Sequence, residues 1–258
     1  MLLKHSAPDS CFFEDRGFDP HWYYARVREI GCTAVELVEP SEWAAARDEG
    51  LEIIAIAGGG MRDGLNDLEN HATLTRKIVE NIHAAAENHI SNVIVFSGNR
   101  KGIDERQGLA NVVAGVKQIA PEAERSGVGL LFEMLNAFDH ADYQADNSEF
   151  GFGVVEAAGL PVVRVLYDVY HMYRSGLGND EIIAELTGKV DCIGHIHVAG
   201  APKRDFPGTA QEIDYARIIP ALHEAGYSGH IGHEFMPADD PLAELAEAVA
   251  LFESYAGK

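Results

Sequence analysis

The chain has 258 residues, of which 47% are hydrophobic and 24% are charged, so it can bury a large core as a globular protein. Acidic residues outnumber basic ones by 41 to 20, which gives a formal net charge of −21. This charge repels phosphate backbones and anionic membrane surfaces, so we expect neither nucleic acid nor membrane among its partners.

Short apolar runs alternate with amphipathic helical patterns along the chain. The eight predicted strands are 2–6, 33–38, 51–57, 92–98, 128–134, 162–168, 190–198 and 229–235. The predicted helices lie near 20–30, 40–49, 67–88, 104–126, 146–158, 178–187, 214–225 and 239–256. Pro20 is typical of a first helical turn, Asp67 of an N-cap, and Gly127 of the residue that follows a helix.

Eight strand–helix units of roughly 30 residues each predict a single (β/α)8 TIM barrel, an α/β fold, as one domain over residues 1–258. A doubly wound open sheet is the alternative. That fold more often has fewer units and a dinucleotide-binding fingerprint near its first strand, and this sequence has neither feature.

Cysteine usage and the absence of targeting signals bear on the compartment. Cys11, Cys32 and Cys192 are far apart in the sequence, which argues against a disulfide framework and against a thiolate zinc site. No stretch has the apolar length of a signal peptide or of a membrane span. We therefore expect a cytoplasmic protein with a small-molecule substrate, for which a homo-oligomer is an open alternative.

Metal-binding residue types stand at the C-terminal ends of four consecutive predicted strands, where chemistry sits in such barrels. Three carboxylates brought together would repel one another and raise each other's pKa unless a cation lay among them. With one imidazole they suit Mn²⁺, Mg²⁺ or Co²⁺ better than a structural Zn²⁺ site. A single acid at a strand end is often only a helix cap, but four coincidences on adjacent strands predict a metal site. Its ligands are Glu133, Asp168, His197 and Glu234.

The stretch CIGHIHVAG, residues 192–200, contains two histidines whose side chains point to the same face of a strand. His197 is nearer the C-terminal end of the strand and is the predicted ligand. His195 lies about 7 Å deeper at the usual strand rise, and we expect it to be a buried, hydrogen-bonded support. His71, at the start of the third long helical pattern, is more typical of an exposed histidine than of a substrate contact.

Several motifs resemble the hydroxypyruvate isomerase family, within the xylose-isomerase-like superfamily of TIM barrels that also includes ketose 3-epimerases. The resemblance covers nearly the whole chain in order. It rests on GLNDLENH (64–71), VIVFSGNR (93–100), FEMLN (132–136), DVYHMYRSG (168–176), GHIHVAGAPKRDFPG (194–208), EIDY (212–215) and GHEFMP (232–237).

The resemblance implies roles for the residues at the strand ends. Glu133 and Glu234 match metal ligands that also form the catalytic acid/base pair, and Asp168 matches a further acidic ligand. His197 resembles the metal-binding histidine of the epimerases, whereas typical hydroxypyruvate isomerases have Gln at that position.

The resemblance also implies three substrate-binding residues. His171 stands where relatives contact a substrate oxygen, and Asp139 stands where epimerases have a glutamate that supports that histidine. Arg204 fits the substrate-binding arginine of the superfamily. The chain departs from its relatives at Ala137, where an arginine is common, and at Gln211, where many isomerases have glycine.

The residues fit a metal-dependent isomerase that interconverts an aldehyde and a ketone, and the resemblance implies a hydroxypyruvate/tartronate semialdehyde pair or a short sugar as its substrate. One divalent cation, Mn²⁺ or Mg²⁺ before Co²⁺ or Zn²⁺, would bind two substrate oxygens and stabilise an enediolate while the glutamates move a proton. A ketose 3-epimerase is the alternative within this chemistry. A metal nuclease like endonuclease IV is a third hypothesis, which the net charge and the single metal cluster disfavour, and a non-catalytic sugar-binding barrel has no positive feature.

Overall fold

The computed structural model describes residues 3–256 of the chain. The strands are β1 (Lys4–Pro8), β2 (Ala34–Glu36), β3 (Glu52–Ala57), β4 (Asn92–Phe96), β5 (Gly129–Glu133), β6 (Val163–Asp168), β7 (Ile193–Val198) and β8 (His230–His233). They follow one another in a closed barrel, β1 to β8 in sequence order. The predicted (β/α)8 fold is confirmed, whereas the single-domain boundary at 1–258 stays a prediction.

Ten helices accompany these strands in the described part of the chain. They are α1 (Asp9–Phe12), α2 (Pro20–Ile30), α3 (Trp43–Asp48), α4 (Leu68–Glu87), α5 (Glu105–Ser126), α6 (Ser148–Ala158), α7 (Val169–Arg174), α8 (Asn179–Gly188), α9 (Tyr215–Glu224) and α10 (Pro241–Ala256). None of the helices within residues 3–256 has both the length and the apolar character needed to cross a bilayer.

Local sequence signals account for several of the helix boundaries. Asp19 caps α2 by accepting from the backbone N–H of Trp22 at 2.9 Å, with Pro20 as the first helical residue. Asp67 caps α4 by accepting from the N–H of Glu69 at 3.0 Å. Gly127 ends α5 in the left-handed region at φ 67°, a conformation that costs glycine little.

Several predicted strands and helices are shorter in the structure, and three further differences concern the type of element. Residues Val190–Cys192, predicted as the start of a strand, form a 3₁₀ turn, and β7 begins at Ile193. Helices α1 and α7 were not predicted, because four and six residues are too few to show helical periodicity. Residue 2, in the first predicted strand, lies outside the described residues.

The packing of the chain against itself divides it into two compact units. The first unit comprises the chain up to Ile54, the segment Gly176–Asp191 and the chain from His195 onward. The second unit comprises Ala55–Ser175 and Cys192–Gly194. In the first unit β1 pairs in parallel with β2 and β8, and β7 pairs with β8. In the second unit β4, β5 and β6 pair in parallel in that order, and Ala55–Ala57 of β3 pair with β4.

A buried carboxyl group follows β1 directly in the first unit. Asp9 is only 2% exposed, and one of its oxygens accepts from the Tyr24 hydroxyl at 2.7 Å. Burial raises its pKa to about 7, because the loss of solvation outweighs the Tyr24 hydrogen bond and nearby acidic residues add to the rise. The folded chain therefore holds a proton that the unfolded chain releases near pH 4.

We expect Asp9→Asn to stabilise the protein increasingly as the pH rises. Between about pH 4 and pH 7 unfolding releases the proton of Asp9, so this residue costs the wild-type protein stability as the pH increases, and the cost persists above pH 7. Chemical denaturation at pH 5 and pH 8 should show the advantage of the variant growing by about 2 kcal/mol. Asp19→Asn, at an exposed cap where Asn serves equally well, is the control. An equal effect of Asp9→Asn at both pH values would contradict this account.

Candidate active site

The carboxylate of Glu36 is the centre of a buried polar cluster in the first unit. Glu36 ends β2 and is 0% exposed. Its Oε2 lies 3.0 Å from Nε2 of His195 and 2.8 Å from Nε2 of His197, and Ser6 donates to its Oε1 at 2.8 Å. Burial alone would raise the pKa of Glu36, but the two imidazoles outweigh burial and hold the pKa well below its ordinary value. Glu36 is therefore an ionised acceptor, and both imidazoles carry a proton on Nε2.

This arrangement leaves Nδ1 as the ring nitrogen of His197 that faces Glu234. Nδ1 lies 2.9 Å from Oε2 of Glu234. Burial lowers the pKa of His197, but the carboxylates of Glu234 and Glu36 together raise it well above its ordinary value. A metal ion bound through Nδ1 would replace the proton at that nitrogen.

His195 has the supporting position that the sequence predicted for it. Its side chain is buried, its Nε2 donates to Glu36, and its ring stands edge-on to that of His197 with the centroids 4.8 Å apart. Glu36, His195 and His197 also have possible metal-ligand atoms close enough together to hold an ion. The Nε2 atoms of both histidines carry protons that are donated to Glu36. Glu36, His195 and His197 therefore form a hydrogen-bond network that orients His197.

Arg204 lies against the predicted catalytic residue Glu234. Its guanidinium Nη2 forms an ion pair with Oε2 of Glu234, and its Nε donates to the Glu234 carbonyl at 3.4 Å. Arg204 has a left-handed backbone, φ 58°, and its carbonyl accepts from the N–H of Met236 at 2.7 Å. The loop after β7 thus holds the guanidinium of Arg204 against the carboxylate of Glu234. The substrate-binding role of Arg204 stays a prediction.

Gly232 on β8 makes room for the Glu36 cluster. A Cβ atom at this position would lie 2.6 Å from Oε1 of Glu36, 2.7 Å from Cδ2 of His197 and 2.9 Å from Nε2 of His195. These distances are shorter than van der Waals contact, so any side chain here would displace the cluster.

We expect Gly232→Ala to lower the free energy of unfolding by about 1–3 kcal/mol, the usual cost of overpacking a filled interior, as measured by urea denaturation. Gly188→Ala is the matched control, because its Cβ would have no neighbour within 4 Å. A variant at position 232 as stable as the wild type would contradict the close packing of this cluster.

The second unit contains the other two predicted ligands, Glu133 and Asp168. Each is the last residue of its strand and is buried. A carboxylate oxygen of Glu133 lies within 4.8 Å of a carboxylate oxygen of Asp168. Oδ1 of Asp168 accepts from the backbone N–H of His171 at 3.0 Å and so caps α7. Asp168 is thus a helix cap, as a lone acid at a strand end often is, and its other oxygen, Oδ2, lies 3.7 Å from Nε2 of His171.

Asn136 was not predicted as a site residue, and it connects two residues that were. Its side-chain Nδ2 lies 2.6 Å from Nδ1 of His171 and 2.9 Å from Oδ2 of Asp139. Oδ2 of Asp139 also accepts from the Tyr170 hydroxyl at 2.8 Å. Asp139 therefore reaches His171 through Asn136. The only sequence signal for Asn136 was its place in FEMLN, three residues after Glu133.

The expectation that His71 is exposed was wrong. The side chain of His71 is buried, and its Nε2 lies 2.8 Å from the carbonyl of Leu65. A Cβ atom at Gly115 on α5 would approach the same ring to 3.2 Å, so His71 packs into the interface between α4 and α5. A helix-start position did not reveal this burial, because it depends on a helix more than thirty residues further along the chain.

The family model described as "Xylose isomerase-like TIM barrel" matches residues 24–255. The chain belongs to this family. Hydroxypyruvate isomerase of Escherichia coli strain K12 is 28% identical over 136 residues, which are 53% of this chain and 51% of that protein. The chain thus matches about half the length of this curated relative.

Two solved structures share the fold over nearly the whole chain. One is an AP endonuclease of family 2 from Brucella melitensis, with a TM-score of 0.83 and 20% identity over 95% of this chain and 98% of that one. The other is a D-psicose 3-epimerase with D-tagatose from Clostridium cellulolyticum H10, with a TM-score of 0.80 and 18% identity over 98% of this chain and 99% of that one. At this identity the likeness establishes the fold and does not distinguish nuclease from epimerase chemistry.

Proposed function

We propose that the protein is a divalent-metal-dependent isomerase that interconverts the aldehyde and ketone forms of a small hydroxy-carbonyl compound, of the hydroxypyruvate/tartronate semialdehyde type. The observation that carries the proposal is the fixed ring of His197, which is bonded through Nε2 to Glu36 and directs Nδ1 at Glu234. Membership of the xylose isomerase-like family and the hydroxypyruvate isomerase relative support the reaction class.

The proposed ligands are the four residues that end consecutive strands. Glu133 and Asp168 would each offer a carboxylate oxygen, and His197 and Glu234 would offer Nδ1 and a carboxylate oxygen. In a barrel of this family the C-terminal ends of the strands form one rim. Three buried carboxylates and one imidazole fit a divalent cation, because their mutual repulsion is unfavourable without one.

Glu133 and Glu234 would move the proton in this reaction. One carboxylate removes the proton from the carbon next to the carbonyl, and the other returns a proton to the neighbouring carbon. A bound divalent cation would supply Lewis-acid stabilisation of the negative charge on the substrate oxygens. Arg204, paired with Glu234, and His171 would hold further substrate oxygens.

We expect Glu133→Gln and Glu234→Gln each to lower kcat for conversion of hydroxypyruvate to tartronate semialdehyde by at least about 10²-fold, the usual contribution of general acid–base catalysis. Glu124→Gln, on an exposed part of α5, is the control. Circular dichroism and thermal denaturation should show that the variants fold. Near-normal kcat in either variant, on a substrate that the wild type converts, would exclude the proposed proton transfer.

Metal removal tests the cation directly. Dialysis against EDTA should abolish turnover, and one equivalent of Mn²⁺ should restore it, whereas a metal-free protein that stays fully active would refute the requirement for a metal. In D₂O the product should gain deuterium at the carbon next to the carbonyl, because the proton passes through a carboxylate that exchanges with solvent. Complete retention of the substrate hydrogen would indicate a hydride shift instead.

A ketose 3-epimerase is the second candidate, and His197 favours it. The resemblance places a histidine at this position in the epimerases, and here His197 is buried with Nδ1 at Glu234. Substrate screening therefore includes free C4–C6 ketoses beside hydroxypyruvate. Inversion at C3 of a ketose without conversion of hydroxypyruvate would favour this candidate over the first.

A further inference from the structure

The side chain of Asn136 has an orientation that its surroundings fix without ambiguity. Asn136 is 0% exposed, and its Oδ1 lies 2.9 Å from the backbone nitrogens of both Phe138 and Asp139. Backbone N–H groups can only donate, so the atom that faces them is the amide oxygen. The amide NH₂ group must therefore point the other way.

The amide NH₂ group points at one ring nitrogen of His171. Nδ2 of Asn136 lies 2.6 Å from Nδ1 of His171, and the backbone N–H of Asn136 donates to the same Nδ1 at 3.2 Å. Two donors converge on this nitrogen, so it must be an acceptor without a proton. A neutral imidazole with an unprotonated Nδ1 carries its proton on Nε2.

The protonated nitrogen lies beside the proposed metal ligands. Nε2 of His171 is 3.7 Å from Oδ2 of Asp168, whose Oδ1 accepts from the backbone N–H of His171. On the far side, Asp139 accepts from Nδ2 of Asn136 and from the Tyr170 hydroxyl. The order Tyr170, Asp139, Asn136, His171 is thus a hydrogen-bonded chain that ends at the candidate site.

We propose that Asn136 is a positioning residue that sets the tautomer of His171. His171 then presents Nε2–H to the substrate and binds an oxygen that accepts a hydrogen bond, such as a carbonyl, a carboxylate or a developing enediolate oxygen. It cannot remove a substrate proton through that nitrogen. The substrate part rests on the proposed function, whereas the tautomer depends only on the contacts of the second unit.

The tautomer is measured on metal-free wild-type protein labelled with ¹⁵N-histidine, by long-range ¹H–¹⁵N correlation. The signals of His171 are assigned from their loss in His171→Gln. We expect an unprotonated Nδ1 and a protonated Nε2 at neutral pH. A protonated Nδ1, or an even mixture of tautomers, would overturn the proposal, and this result needs neither a variant of Asn136 nor a substrate.

Asn136→Asp tests the cause, because it keeps the shape and the Oδ1 acceptor but replaces the donor facing Nδ1 with a carboxylate oxygen. We expect Nδ1 of His171 to become protonated and kcat/KM to fall about ten- to hundredfold, the cost of losing a hydrogen bond to a charged or developing-charge group. An unchanged His171 spectrum in the folded variant would overturn the assigned role of Asn136.

Asn147→Asp is the matched control, because it adds the same charge at a helix cap that accepts from the N–H of Phe150 at 2.8 Å, where Asp caps equally well. Its His171 spectrum and kcat/KM should match the wild type, and an equal loss in this variant would attribute the effect to charge alone. If the protein shows the expected tautomer but has no isomerase activity, the proposed function is refuted and the tautomer assignment is confirmed.

Discussion

The buried carboxylate of Glu36 is the interaction on which the His197 side of the candidate site depends. A buried charge is costly unless it is paired and hydrogen-bonded, and Glu36 receives Nε2–H donors from two histidines and a hydroxyl donor from Ser6. Its partners come from β1 and β7, and Gly232 on β8 leaves the space that the cluster occupies. The carboxylate of Glu36 is therefore accommodated by residues on four strands, and it fixes the imidazole ring of His197, on which the proposed ligand set relies.

The two histidines at the candidate site receive different roles through one principle. Glu36 occupies the Nε2–H of His197 and leaves Nδ1 facing Glu234 as the nitrogen that could bind a metal. Asn136 occupies Nδ1 of His171 and leaves Nε2–H as a donor. The acceptor beside His197 leaves its second ring nitrogen available to a metal ion, and the donor beside His171 leaves that imidazole a hydrogen-bond donor. Such partners fix ring orientation and tautomer at metal sites.

The sequence predicted the barrel, and it predicted that the candidate ligand residues end consecutive strands, because both depend on local properties. Strand and helix periods, Asp67 as a cap and Gly127 as a helix end depend on residues a few positions apart. Glu133 and Asp168 are recognisable because each is the last residue of an apolar strand. The same reasoning identified His195 as a support, since alternation along a strand places it on the face of His197.

The missed residues act through contacts that sequence spacing does not show. Glu36 ends a three-residue strand, and the histidines that give it a role are 159 and 161 positions away. Asn136 depends on a side chain 35 positions away. The ring of His71 contacts the carbonyl of Leu65 nearby, but it also packs against Gly115 on the distant helix α5. In each case the chain brings a polar group to a partner fixed only by the closed fold.

The central claim is that His197 binds a divalent cation through Nδ1 while Nε2 donates to Glu36. The most direct test is a crystal structure with Mn²⁺, recorded at the manganese absorption edge. This account predicts one anomalous peak bonded to Nδ1 of His197 and to oxygens of Glu133, Asp168 and Glu234, with the hydrogen bond from Nε2 to Glu36 intact. No peak at this position, or a peak bonded to Glu36 or to Nε2 of His197, would contradict it.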